Sequence, residues 1–289
     1  MMKQLLITLL VLAIAMPAFS QDDEKKEPEY GWKNAAIGNL NFTQSAFDNW
    51  TAGGEDNWVW QLDLNGKFIN DQAKTNWANT GKVSYGRTKI GDTEQRKAAD
   101  EISLESVFTY KMSLYVNPYV AVSGLTQLTE GFNYGVDPLA ENPISKFLNP
   151  GYFTESFGIG YQPMEEFKTR LGVAFKQTVT SDTAFSVIYG VVDEDTNEPK
   201  KLRNEVGMES VSDYERNITE TVKYVFKLKA FTAFDGADNI DVDWDNIFAA
   251  QIAKYLAVSF NYKIFYDSDV SYKRQVKSVL AVGLTYNFL

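Results

Sequence analysis

The sequence predicts an all-β chain that closes as a transmembrane, antiparallel, up-and-down β-barrel of about twelve strands. Three observations predict it. A secretory leader is followed by no apolar run long enough to span a bilayer as a helix. Apolar and polar residues alternate with period two in segment after segment. Short and long connections between those segments alternate.

The leader comes first. Lys3 supplies a positive start, Leu5 to Met16 is apolar, and Ala18-Phe19-Ser20 is a small-x-small cleavage site before Gln21. Residues 1–20 read as a signal peptide, 21–31 as a short periplasmic tail, and 32–289 as the barrel. The apolar stretch is shorter than the roughly 20 residues a spanning helix needs, so later spans must be strands.

The alternation is clearest where Trp58, Trp60, Leu62, Leu64, Gly66 and Phe68 share one face, with the mostly polar Val59, Gln61, Asp63, Asn65, Lys67 and Ile69 on the other. The last segment repeats it, setting Leu280, Val282, Leu284, Tyr286 and Phe288 against Ala281, Gly283, Thr285 and Asn287. Twelve such segments cover 36–47, 57–70, 75–88, 100–111, 115–127, 152–162, 167–178, 203–216, 219–233, 239–253, 256–267 and 276–288. An even count suits a single-chain bacterial barrel. Connections after even-numbered segments are short, as at Asp71-Gln72-Ala73-Lys74 and Asn217-Ile218. Those after odd-numbered segments are mostly longer, above all 89–99, 128–151 and 179–202. Short periplasmic turns, long extracellular loops and two periplasmic termini follow from that pattern. A soluble sandwich would turn its apolar faces inward and has no reason to keep it.

Aromatic residues make up 14% of the chain. Trp58, Trp60, Trp244 and Tyr266 fall near the expected extracellular strand ends, and Trp77, Tyr110, Tyr161 and Phe288 near the periplasmic ends, where amphipathic rings favour the headgroup level. The opposite faces give the candidate lumen residues: Asp63, Lys67, Lys82, Glu101, Glu105, Lys168, Arg170, Lys176, Glu209, Asp213, Lys223, Lys227 and Lys263. Two readings stand side by side. The charges line a pore that sorts solutes, or they form a salt-bridged filling. Twelve strands lie between filled eight-stranded barrels and the larger aqueous ones.

A net charge of −10 argues against nucleic acid as a partner. The chain has no Cys and no His, so disulfides and the usual activating base of hydrolytic sites are missing. An enzyme is not expected, and no catalytic residue, metal ligand or cofactor is assigned. Asp235, Asp238, Asp241, Asp243 and Asp245 read as a solvated acidic hairpin tip facing the lipopolysaccharide cation layer. They lack the turn glycine and distal Glu of a calcium loop. Phe132, Tyr134, Leu139, Ile144 and Phe147 make the 128–151 loop apolar enough to fold over the barrel mouth.

Asn41-Phe42-Thr43-Gln44-Ser45-Ala46-Phe47-Asp48-Asn49-Trp50-Thr51-Ala52-Gly53-Gly54 resembles the strand–NWxxGG–strand opening of an uncharacterised, domain-of-unknown-function family of outer-membrane barrels from Bacteroidota. Phe147 to Tyr152 and Tyr266-Asp267 fit the same pattern. The resemblance runs from about residue 30 to the end. It implies a barrel of this size in a Gram-negative outer membrane and no established activity. The last strand also resembles the signal read by the barrel-assembly machinery, with the aromatic Phe288 penultimate instead of final. Expected partners are therefore outer-membrane lipid and lipopolysaccharide, the assembly machinery during insertion, and an unidentified outer-membrane protein. The expected function is a narrow passive channel for small solutes, or a non-conducting accessory barrel acting through its loops or a membrane partner.

Overall fold

A computed structural model describes residues 29–289, apart from 50, 137–140, 194 and 236–239. The expected signal peptide and most of the tail lie outside the described residues. Twelve strands form the wall: β1 (Gly31–Ser45), β2 (Asn57–Asp71), β3 (Thr75–Ile90), β4 (Arg96–Tyr110), β5 (Val116–Thr126), β8 (Gly151–Met164), β9 (Phe167–Val179), β10 (Leu202–Asn217), β11 (Val222–Ala233), β12 (Asp241–Ala253), β13 (Leu256–Asp267) and β14 (Ser271–Asn287). Two short strands, β6 (Gly131–Phe132) and β7 (Pro143–Ser145), form a separate hairpin in the loop after β5.

Each barrel strand pairs antiparallel with its sequence neighbour, and β1 pairs with β14 to close the ring. Closure gives backbone N–H and C=O groups partners within the sheet, which a wall facing hydrocarbon requires. Both described chain ends sit at the rim of the short turns. Gly31 pairs with Asp71 beside the first turn, and the Phe288 amide donates to the Ala36 carbonyl.

Alternation places the side chains inside out. The buried apolar residues facing the interior are mostly small, among them Ala99, Ala121, Ala174 and Val211. Large apolar residues line the outer wall and stay uncovered; Leu280 is 72% and Leu104 60% exposed. A monomer in water rarely keeps so continuous an apolar exterior.

Several boundaries differ from the sequence reading. β1 begins at Gly31 because Trp32–Ala35 pair with Asn70–Lys67, although Lys33 and Asn34 interrupt the apolar alternation. β14 begins at Ser271, five residues early, for the same reason at Lys273 and Arg274. Ladder hydrogen bonds join backbone groups and tolerate charged side chains on a face that is wet. β4 begins at Arg96 after a bulge opposite Gly86 and Arg87, so the expected 89–99 loop shrinks to residues 91–95. The turn after β10 lengthens instead, running from Ile218 to Thr221. In the 46–56 loop, Asn49, Gly53 and Gly54 take positive φ. The Phe47 ring packs where a Cβ on Gly54 would stand, so that turn needs glycine.

Candidate functional site

Inward-facing positions of the strands bring most of the candidate residues into a lattice of separate ion-pair clusters inside the barrel. Its centre is Glu105 on β4. It accepts from Arg170 Nη2 on β9 at 2.6 Å and from Lys227 Nζ on β11, and Lys229 Nζ stands 4.0 Å away. The Glu105 and Arg170 side chains are only 9% and 10% exposed. β4 and β11 lie five strands apart around the ring, so these bonds cross the lumen and do not run along the wall.

Two further clusters lie toward the loop rim. Lys176 on β9 meets Asp241 at 2.6 Å, Glu205 at 3.4 Å and Asp267 at 3.7 Å. Lys82 pairs with Glu101 at 3.0 Å, and Lys263 pairs with Asp243 at 3.1 Å and reaches Glu101 at 4.0 Å. Toward the turns, Lys67 on β2 meets Glu215 on the opposite wall at 3.2 Å. Lys223 joins the same carboxylate at 2.5 Å, and Lys168 stands 3.9 Å from Asp213. Asp63 takes hydrogen bonds from Ser84 Oγ at 2.5 Å and Gln61 Nε2 at 2.9 Å, without an ion pair among the described residues. Glu209 is buried and feels Arg170 and Lys229 without touching either as an ion pair. Burying charges in this way is tolerable because each desolvated cation faces at least one carboxylate.

Sequence reading missed Glu205, Glu215 and Asp267 as members of the lattice. Glu205 and Glu215 share the inward parity of Glu209 and Asp213 on β10, so period two alone could have found them. Asp267 ends β13, where parity is weakest. The acidic cluster needs a correction: Asp241, Asp243 and Asp245 are not at a solvated hairpin tip. They stand on β12 opposite Phe231, Lys229 and Lys227, on the inward parity of the strand, where Asp241 meets Lys176 and Asp243 meets Lys263. Asp245 takes the Asn261 side-chain amide.

A cavity of about 120 Å³ lies above the Glu105 centre, lined by Tyr152, Lys176, Glu209, Lys229, Phe231 and Asp241 among others. The loop from Thr180 to Lys201 reaches across it. Gly190 abuts Asp269 of the loop before β14, and Arg203 Nη1 binds Asp269 at 2.6 Å. The loop after β5 packs along the rim. Asp100 accepts from the Leu128 and Thr129 amides, fully buried Asn149 donates to Ser181 Oγ at 2.6 Å, and Tyr189 donates to the Ile144 carbonyl at 2.8 Å. The mouth is thus spanned by the 180–201 loop, with the apolar 128–151 loop as its buttress. Leu139 lies outside the described residues.

In these loops Lys146 beside Asp182, and Lys200 beside Asp193 with the Thr196 and Asp195 amides, hold both carboxyls below the usual range. Burial pushes the Tyr189 hydroxyl up to about 12.

On the outer wall the expected interfacial aromatics form two levels. Near the loops, Trp60 packs on Tyr85 at 5.7 Å with Arg87 over the same ring at 5.3 Å, and Trp58 and Tyr266 are half-buried. Trp244 is half-buried too, but its indole N–H is covered and unpaired. Near the turns, Trp77 packs on Trp32 at 6.1 Å and donates to Ser106 Oγ at 2.8 Å. Tyr110 and Phe288 are exposed there and Tyr161 is half-buried.

Two family models match parts of the chain: Protein of unknown function (DUF3078) over residues 42–132 and Protein of unknown function, DUF481, over residues 149–288. No curated protein matches the chain. Among solved structures, the COG4313 outer membrane channel from Pseudomonas putida F1 is 9% identical, with 93% of this chain and 98% of that one covered and a TM-score of 0.41. The translocator domain of autotransporter NalP from Neisseria meningitidis is 9% identical, with 90% and 89% covered and a TM-score of 0.37. The outer membrane channel DcaP of Acinetobacter baumannii is 10% identical, with 90% and 96% covered and a TM-score of 0.32. At these scores the likenesses are remote, and the barrel rests on the chain's own closed ladder.

Proposed function

We propose that the chain is an outer-membrane β-barrel of a Gram-negative bacterium, with its termini and short turns in the periplasm, and that it is a narrow passive channel for small solutes. The inside-out distribution of side chains carries this reading. Large apolar residues face outward without cover, and paired charges of both signs face a common lumen. A water-filled lumen hydrates the charges, and the bilayer takes up the apolar belt. Insertion would draw on the barrel-assembly machinery through the last strand, with lipid and lipopolysaccharide around the wall.

The mixed signs argue for weak charge selection. Solutes would have to pass the Glu105 centre, where cations from β9 and β11 converge on one carboxylate. The same cross-lumen bonds favour a second reading, a non-conducting barrel that works through its loops or a membrane partner. Planar-bilayer recording separates them. Discrete single-channel steps are expected from folded protein, with larger steps once residues 130–148 are deleted. A folded barrel that stays silent, with and without that deletion, sinks the channel and leaves the second reading.

A further inference from the structure

The closing seam differs from the other strand pairs. β1 pairs with β2 along its whole length, from Gly31 opposite Asp71 to Ser45 opposite Asn57. With β14 it pairs only from Ile37 opposite Asn287 to Asn41 opposite Gly283. Above that rung, Phe42–Ser45 pair only with β2 and Gln275–Val282 only with β13. Gly283 marks the point of parting: a Cβ there would strike the Leu40 carbonyl and the Asn41 side chain, so the strands touch there and diverge above.

Two independent features describe what the gap would accept. Its outer lip is apolar, with Phe42, Val276, Leu280 and Val282 all exposed, and its inner lip is small, with Val279, Ala281 and Gly283. Toward the loops it is basic. Lys273, Arg274 and Lys277 are exposed, and no described carboxylate lies within ion-pair distance of them, whereas most of the deeper lysines are paired. Lys277 stands directly opposite Lys263 on β13, on the face where Lys263 pairs with Asp243, so its side chain is on the lumen side.

We propose that this gap is a lateral portal between lumen and bilayer, and that its occupant is an anionic single-chain amphiphile of the fatty-acid type, entering from the membrane. The acyl chain lies against Phe42, Leu280 and Val282, and the carboxylate is taken by Lys273 and Lys277 near the loop rim. Hydrocarbon offers the open strand edges no hydrogen-bond partner, whereas a polar headgroup and the water it carries do. The assignment rests on the membrane reading above, but not on conductance.

The chain has no cysteine of its own, so introduced pairs are its only thiols. Thr43→Cys with Ala281→Cys would face each other if the ladder continued upward. Asn39→Cys with Thr285→Cys already do. In folded, heat-modifiable protein the lower pair should oxidise readily and the upper pair at least about tenfold more slowly, as expected for strands that are apart. Equal rates would overturn the open seam. Dansyl-aminoundecanoate added to phosphatidylcholine proteoliposomes should bind saturably. Binding should vanish when the upper pair is oxidised and return with dithiothreitol. Lys273→Gln with Lys277→Gln, which leaves the seam untouched, should weaken it about tenfold through loss of charge-assisted hydrogen bonds. Undiminished binding to the locked barrel, competition by an undecylamine as strong as by undecanoate, or a second protein chain cross-linked in stoichiometric amount at position 43 would each overturn the proposal. Single-channel recording of the same protein tests the channel separately.

Discussion

Glu105 is one carboxylate facing three cations, and its neighbours show how unequal the interior charges are. Its pair with Arg170 is nearly shielded from solvent, whereas Lys67 and Glu215 are 46% and 45% exposed. Removing one partner of a shielded pair strands the other. Glu105→Gln should therefore cost about 3 kcal/mol of stability. Lys67→Gln should cost less than about 1 kcal/mol, since its pair is half in water. Urea titration followed by tryptophan fluorescence reads both, and a neutral Glu105→Gln would remove the centre from the account of the interior. At this scale period two shows that Glu105 and Arg170 face inward. It gives no sign that they meet, because that depends on which strands oppose each other across the ring.

Among the elements, the 180–201 loop is held by exposed ion pairs and by a small interior of its own, where Val191, Thr180 and Ser186 are fully buried. Asp193 and Asp182 both titrate below their ordinary value in the folded loop. Groups shifted down add stability at pH above the ordinary carboxyl value, about 3.9, and lose it as pH falls from there through the folded value. The loop should resist limited proteolysis unchanged between about pH 7 and pH 5 and become cleavable below about pH 4. Asp193→Asn should abolish that dependence at its own end of the loop, and a transition near pH 6 would refute the assignment. Asn149→Ala should free both long loops together, because its buried amide ties residues 147–149 to Ser181 and Asp182. Protease sensitivity confined to one loop would contradict that coupling. Strand number and order were legible from alternation and turns. Strand ends were not, at Lys33-Asn34 and Lys273-Arg274, because the ladder is made by backbone groups that a charged side chain does not interrupt.

The whole molecule has a direction. Both described ends lie at the turn rim, so the long loops share the other side. In intact cells Asp92→Cys and Thr196→Cys should react with an impermeant maleimide and Glu165→Cys should not; the reverse pattern would invert the barrel. The sequence by itself determined the twelve-strand count, the face each side chain takes and the separation of turns from loops, because period two and connection length are local properties of the chain. Only the tertiary structure decided that the inward charges bind one another across the lumen, that Asp241 and Asp243 belong to those ion pairs, and that the last strand closes on the first over only five rungs. Those outcomes depend on the stagger of strands around a closed ring, which no single segment encodes.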